Sequence, residues 1–455
     1  MLKSMLFVSL LLGSLLSNAQ TNPAITNWLI NTDGTTGRHY LLGNPTVISE
    51  TTLANVQQVS YNTTHVYVNA TGIPSYITGP YSLGAVSLAL NNNYRIKIPL
   101  NPVANTGTPS TVGMGAIAVF INGTVAYSNR DAATYNNAGQ WHQNAVYFEN
   151  LGFDCAHGHP GPMTADYHVH QNPTAFNFSL MPTSSVCNMY VADGLYVPDS
   201  SMHSPLIGFA PDGFPIYGAY GYSDPLDANS TIKRMKPSYQ FRTMTSRTTL
   251  PNGNAATGPA FTEMITSMLP GSTPLPAVLG AYAEDFEFVS GSGDLDVHNG
   301  RFCKTPEYPN GIFCYFSTID SLNNPVYPYI IGDTYYGVAP MMGPGNSFTN
   351  STIPSGLTVY NPTTAIKEIN DESLEVNAYT STDKEVLVIQ SNNSQSFDRT
   401  VDLINLSGQI VQTNLLFQGS TMCYFDLRTV YNGVYLVRVS SGNKAVVKKV
   451  FVQHN

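Results

Sequence analysis

Glycine and proline, 37 and 30 of the 455 residues, break this chain too often for long helices to form. Helical periodicity is correspondingly scarce. Short runs such as Val66-Tyr67-Val68, Tyr94 to Ile98, Gly115 to Ile121 and Phe286 to Val289 read as strands. The punctuation between them predicts short strands joined by long ordered loops. The stretch from Ala260 to Met268 is the best short helix candidate. The fold class expected is all-β, with a large β-rich central domain and a small C-terminal immunoglobulin-like sandwich.

The two ends address the chain outward. Lys3, the apolar run Met5 to Leu16 and the small residues Ser17-Asn18-Ala19 form a secretory signal, with cleavage expected after Ala19. The run is shorter than the roughly 20 residues that a bilayer span requires, and no later segment is longer, so the mature chain is expected to be soluble. Only 11% of residues are charged and 20 basic residues are scattered over the chain. That excludes the concentrated basic face of a nucleic-acid binder. In an exported chain disulfides persist. Cys303 and Cys314 are expected to staple a hairpin-like loop and Cys155 and Cys187 are a second candidate pair, leaving Cys423 over.

Residues 20–340 are expected to form the central domain. The segment from Pro340 to Pro362 is rich in Pro, Gly, Ser, Thr and Asn without apolar period, and a linker is placed at 341–366. Over 367–455 the β-type runs return: Glu385 to Ile389, Thr400 to Leu406, Gly433 to Val439 and Ala445 to Val452. Period two puts Tyr435, Val437 and Val439 on one face. The strings VDLINLSGQIV and YFDLRTVYNGVYLVRVSSGNKAVVKKVFV resemble the C-terminal sorting domain of the type IX secretion pathway. The resemblance implies the type IX machinery as partner. It further implies a product released outside the cell or anchored to the outer surface.

Histidine carries the chemistry. Of ten histidines, four fall in CAHGHPGPMTADYHVHQNP: His157, His159, His168 and His170. In extended chain each His-x-His pair aims both imidazoles to one side, and imidazole suits zinc, copper, iron and nickel. Asp154 and Asp166 are candidates to orient these rings. Asp212 in the DGFP turn, and Asp294, Asp296 and His298 in GSGDLDVHNGRF, are supporting metal ligands, with His203 a weaker one. Copper or zinc fits imidazole better than calcium, which takes oxygen ligands. An open coordination position would support hydrolysis, and a redox metal would support oxidation.

These motifs in order resemble the YHYH protein family. They are Tyr167-His168-Val169-His170, DGFPIYG from Asp212 to Gly218, and GDLD from Gly293 to Asp296 with Asn299-Gly300. Gly158-His159-Pro160 and YPYIIGDTYYG complete the set. Val169 stands where the name motif has its second tyrosine. The expected function is a secreted or cell-surface protein with a His-rich, metal-binding domain. The alternative is a non-catalytic polysaccharide-binding or adhesion protein whose histidines only satisfy core hydrogen bonds.

Overall fold

The computed structural model describes residues 22–81, 88–161, 164–173, 194–196, 198–267, 269, 271–340, 348–361, 376–381, 385–391, 399–405, 409–417, 419–441 and 444–452. Met1 to Ala19 and Cys187 lie outside them. Strands account for 41% and helices for 5% of the described residues, an all-β fold. The chain divides into two compact units, Met1–Tyr360 and Asn361–Asn455.

The first unit is organised by an eight-stranded sheet. Its strands, in chain order, are β1 (Ala116–Phe120), β2 (Val125–Tyr127), β3 (Gly158–Pro160), β4 (Tyr167–Val169), β5 (Leu206–Phe209), β6 (Pro215–Tyr217), β7 (Gly300–Cys303) and β8 (Ile312–Phe316). Their spatial order is β3-β4-β2-β1-β5-β6-β8-β7. Both faces are covered: Ala118, Phe120, Val169 and Ile207 pack into one core cluster, while Val119, Val125, Leu206 and Phe209 pack into another. A sheet buried on both faces reads as continuous apolar runs, which is why GAIAVFI and LIGF show no polar alternation. A second sheet pairs Val56–Tyr61, His65–Ala70 and Tyr94–Pro99.

Three expectations are corrected here. Residues 261–262 form a turn and Met264–Ile265 a short strand, so the described part of 260–268 is not helical. Part of the stretch read as a linker belongs to the first unit: Phe348 is buried, Thr349 accepts a backbone hydrogen bond from Arg95 (2.8 Å), and Thr358–Tyr360 pair with Val56–Tyr61. Cys303 and Cys314 are free thiols. The expected hairpin forms, but its register sets Cys303 opposite Ile312 and Cys314 opposite Arg301. The two thiols meet across this diagonal, Cys314 and Cys303 hydrogen-bonding each other without a bond between the sulfurs. Cys155 is disulfide-bonded.

In the second unit, Val376–Thr380, Val386–Ser391 and Met422–Asp426 form one sheet; Ile410–Leu416, Arg399–Asn405, Gly433–Ser441 and Lys444–Val452 form the other. Leu387, Ile389, Val401, Leu403, Phe425, Val437 and Val439 fill a shared core, giving a β-sandwich. Tyr435, Val437 and Val439 all point into it, as their spacing requires.

A fully buried ion pair fastens the loops of the first unit. Arg247 Nη2 lies 2.6 Å from Asp285 Oδ2, both with no exposed side-chain surface. The guanidinium also donates to the carbonyls of Pro259, Ala277 and Val278 and lies over the rings of Phe261 and Tyr282. Arg247→Met would strand the Asp285 charge in the interior, at a cost of about 3–5 kcal/mol. Urea unfolding of the variant against the parent measures it.

Candidate metal centre

The site starts from two short strands at the edge of the central sheet. Antiparallel pairing of β3 with β4 sets His159 directly opposite His168. His170 follows two residues later, on the same side of extended backbone as His168. Tyr167 and Val169, on the other side, are fully buried in the core. The ring centroids stand 4.7 Å apart for His159 and His168, and 5.0 Å for His168 and His170.

The fourth member comes from upstream. The helix Ala145–Glu149 is capped by the Asn144 side chain, which accepts from the Val146 N–H. Its last residue, Glu149, brings Oε2 to 3.0 Å from His159 Nε2 and 3.4 Å from His170 Nε2. The first approach is close but lacks the alignment of a hydrogen bond. Donor atoms of Glu149, His159, His168 and His170 all lie within 4.8 Å of one another, and all four residues are buried. Ligands about 2.0–2.1 Å from a tetrahedral ion sit about 3.4 Å from each other, so the group is of the right size to hold a metal.

Outer contacts orient the rings. His168 Nδ1 donates to the Asp166 carbonyl at 2.9 Å, and His170 Nδ1 donates to the Ser128 carbonyl at 2.6 Å. A carbonyl only accepts, so each Nδ1 carries a proton, and burial keeps His168 neutral, which leaves its Nε2 lone pair available. Tyr127 stacks on the His168 ring at 4.0 Å, and its hydroxyl donates to the Asp166 carboxylate. Phe153 packs edge-on to His159 at 4.9 Å. Asp166 therefore orients His168 through its backbone and Tyr127 through its side chain.

Protonation follows from burial and neighbours. Burial alone would raise the Glu149 carboxyl, but the imidazoles of His170 and His159 overcome it and hold the group well below the usual carboxylate range. Burial, reinforced by repulsion from His159 and His170, drives His168 well below the usual imidazole value. An ionised carboxylate beside a neutral imidazole is the protonation state that metal ligation needs.

The other predicted ligands lie outside this group. His157 sits at φ 69°, in the left-handed region, and that turn ends the alternation which would have aligned it with His159. Its Nδ1 faces the Asn172 carbonyl at 3.3 Å, and burial pushes it down to about 3. Asp154 takes the backbone N–H groups of Gly79, Ala156 and Gly158 and the Tyr167 hydroxyl, so it braces the loop and orients no imidazole. Burial raises it to about 7 against these hydrogen bonds. Gly158 is required here, because a Cβ would fall 2.3 Å from the Tyr167 ring.

Asp212 accepts from the Tyr315 hydroxyl at 2.6 Å and the Gly337 N–H at 2.9 Å, pinning the DGFP turn. Burial raises it to about 6. Asp294 pairs with Lys233 at 2.6 Å. Asp296 caps its own turn by accepting from the N–H groups of His298 and Gly300, and His298 Nδ1 faces the Thr334 carbonyl at 2.9 Å. These four residues serve turns and strand ends, the ordinary work of Asp and Asn in Gly-rich loops. His203 is packed among Tyr217, Tyr222 and Phe316. Glu149 escaped the sequence reading because it lies in no motif. Its one signal is a lone carboxylate within the apolar segment AVYFENLGF, just before the histidines.

The architecture and the site define an exported β-rich protein with a buried His/Glu group able to hold a metal. A family model described as YHYH protein matches residues 95–328, just over half of the chain, and the chain belongs to that family. A second model, the secretion system C-terminal sorting domain, matches residues 377–453 and implies secretion or attachment to the outer surface. Comparison with curated proteins finds no match. Among the described residues no helix is long and apolar enough to cross a membrane.

The buried histidines make stability depend on pH. Burial holds His203 down at about 4 against an ordinary 6.5. The folded chain therefore binds fewer protons at this residue than the unfolded chain between those values. Its contribution is complete above pH 6.5 and is lost as pH falls toward 4. In His203→Asn the fall in unfolding free energy from pH 6.5 to 4 should be shallower than in the parent, as read by denaturant titrations across that range.

Proposed function

We propose that Glu149, His159, His168 and His170 bind one divalent transition metal, zinc or copper, making this secreted YHYH protein a metalloprotein. The observation that carries the reading is the convergence of donor atoms from Glu149, His159, His168 and His170, all buried and within 4.8 Å of one another, with His168 oriented by its Nδ1 bond to the Asp166 carbonyl. Histidines serving only as core hydrogen-bond partners would have no need to converge on one anion. Imidazole with a single carboxylate suits zinc and copper.

Four protein donors complete a tetrahedral shell, as in closed zinc sites. Such an ion would fasten the end of the Ala145–Glu149 helix to the β3–β4 pair. It would also neutralise a carboxylate otherwise buried among apolar rings. Val169 supports the packing role for its position in the name motif, since its side chain is buried in the core on the face away from the imidazoles.

The test is metal content of the full chain after loading and dialysis, by elemental analysis. One equivalent of zinc or copper is expected in the parent and in His157→Asn. Glu149→Ala and the His168→Ala/His170→Ala double variant should lose it. The loss of affinity should exceed the roughly 10–100-fold that altering an outer hydrogen-bond partner costs. Chelation should lower the parent's melting temperature, since an ion at 100 times its Kd contributes about 2.7 kcal/mol. A folded parent that takes up neither metal sinks the proposal.

A further inference from the structure

Away from the histidine group, the first unit contains an open cleft of about 890 Å³. It lies between the end of the strand Asn44–Leu53, the sheet carrying Gln57, Asn69 and Arg95, and the segment around Asn350. That volume falls within the roughly 300–1,000 Å³ of small-ligand sites. The lining is unusual in charge: amides and hydroxyls predominate, and among the described residues that line it no carboxylate or lysine takes part and Arg95 is the one charged residue.

Internal hydrogen bonds decide what these amides offer. Gln57 Nε2 is spent on the carbonyls of Ala54 (2.9 Å) and Asn55 (3.2 Å), and Asn92 Nδ2 on the Leu90 carbonyl (2.8 Å). Asn69 Nδ2 is turned to Gln58 Oε1 at 3.5 Å, while its Oδ1 is buried without a hydrogen-bond partner. Arg95 donates to Asn350 Oδ1. Gln57 thus has both N–H groups engaged, whereas Asn69 and Asn92 each keep one, and Asn69 Oδ1 has no partner, so the lining offers donors and acceptors together. A buried acceptor left without a donor costs stability, which a donating ligand would recover.

We infer that this cleft binds a neutral oligosaccharide, whose hydroxyls pair with the amides of Asn69 and Asn92. A cationic ligand would find no carboxylate there. An anion would find a single guanidinium, one of whose N–H groups is already engaged by Asn350. A polyol donates and accepts at once, as these amides require, with no charge to compensate. The inference is independent of the metal site.

Affinity electrophoresis of the full chain tests it, in gels containing amylose, a β-1,3-glucan or galactomannan, with alginate and polygalacturonate as anionic arms. The parent should be retarded by at least one neutral polysaccharide. Asn69→Leu and, separately, Asn92→Ala should weaken that retardation about tenfold, with metal content and melting temperature unchanged. Asn92 is at the surface of the cleft, so its variant decides the matter should Asn69→Leu fail to fold. No retardation of the parent in the neutral gels, retardation by the anionic gels alone, or undiminished retardation of folded variants overturns the inference.

Discussion

One antiparallel register governs the histidine end of the first unit: Gly158, His159 and Pro160 opposite Val169, His168 and Tyr167. A slip of a single residue would send the imidazoles into the core and the core residues into the site. The register is held from the apolar side, where Tyr167 and Val169 are fully buried. It is held from the polar side by Asp154, which gathers the loop's N–H groups and the Tyr167 hydroxyl. Glu149 and the outer carbonyls then meet rings whose positions are already decided.

Two buried carboxylates in this unit show how differently an interior anion can be handled. Asp285 is matched by an arginine whose remaining donors reach three carbonyls. Among the described residues, the ionisable partners of Glu149 are imidazoles, one of them driven toward neutrality by burial. A buried charge needs an opposite charge or a metal. The first arrangement is complete within the chain, whereas the second is a group that could hold a metal ion.

Much of the fold was legible because local patterns and burial agree. The runs at Val66, Tyr94, Gly115 and Phe286 all become strands, and the alternating face of Gly433 to Val439 becomes a sandwich core. Legibility failed where backbone detail or distant partners decide. His157 shares the His-x-His spacing with His159, yet a left-handed turn separates them. Cys303 and Cys314 meet across a hairpin, yet both stay free thiols. The linker-like composition of 348–360 did not prevent backbone pairing with the sheet, since a strand needs only N–H and C=O groups.

The sequence by itself determined the β class, the outward address carried by the sorting domain, the family motifs, and the His168-x-His170 pair. Each of these rests on period-two geometry or on contiguous strings. Only the tertiary structure brought Glu149 to His159 and His170 and placed His159 opposite His168. It likewise turned Asp212, Asp294 and Asp296 to structural work. Such partnerships depend on which strand lies beside which and on where a helix ends, and no spacing along one segment contains that information.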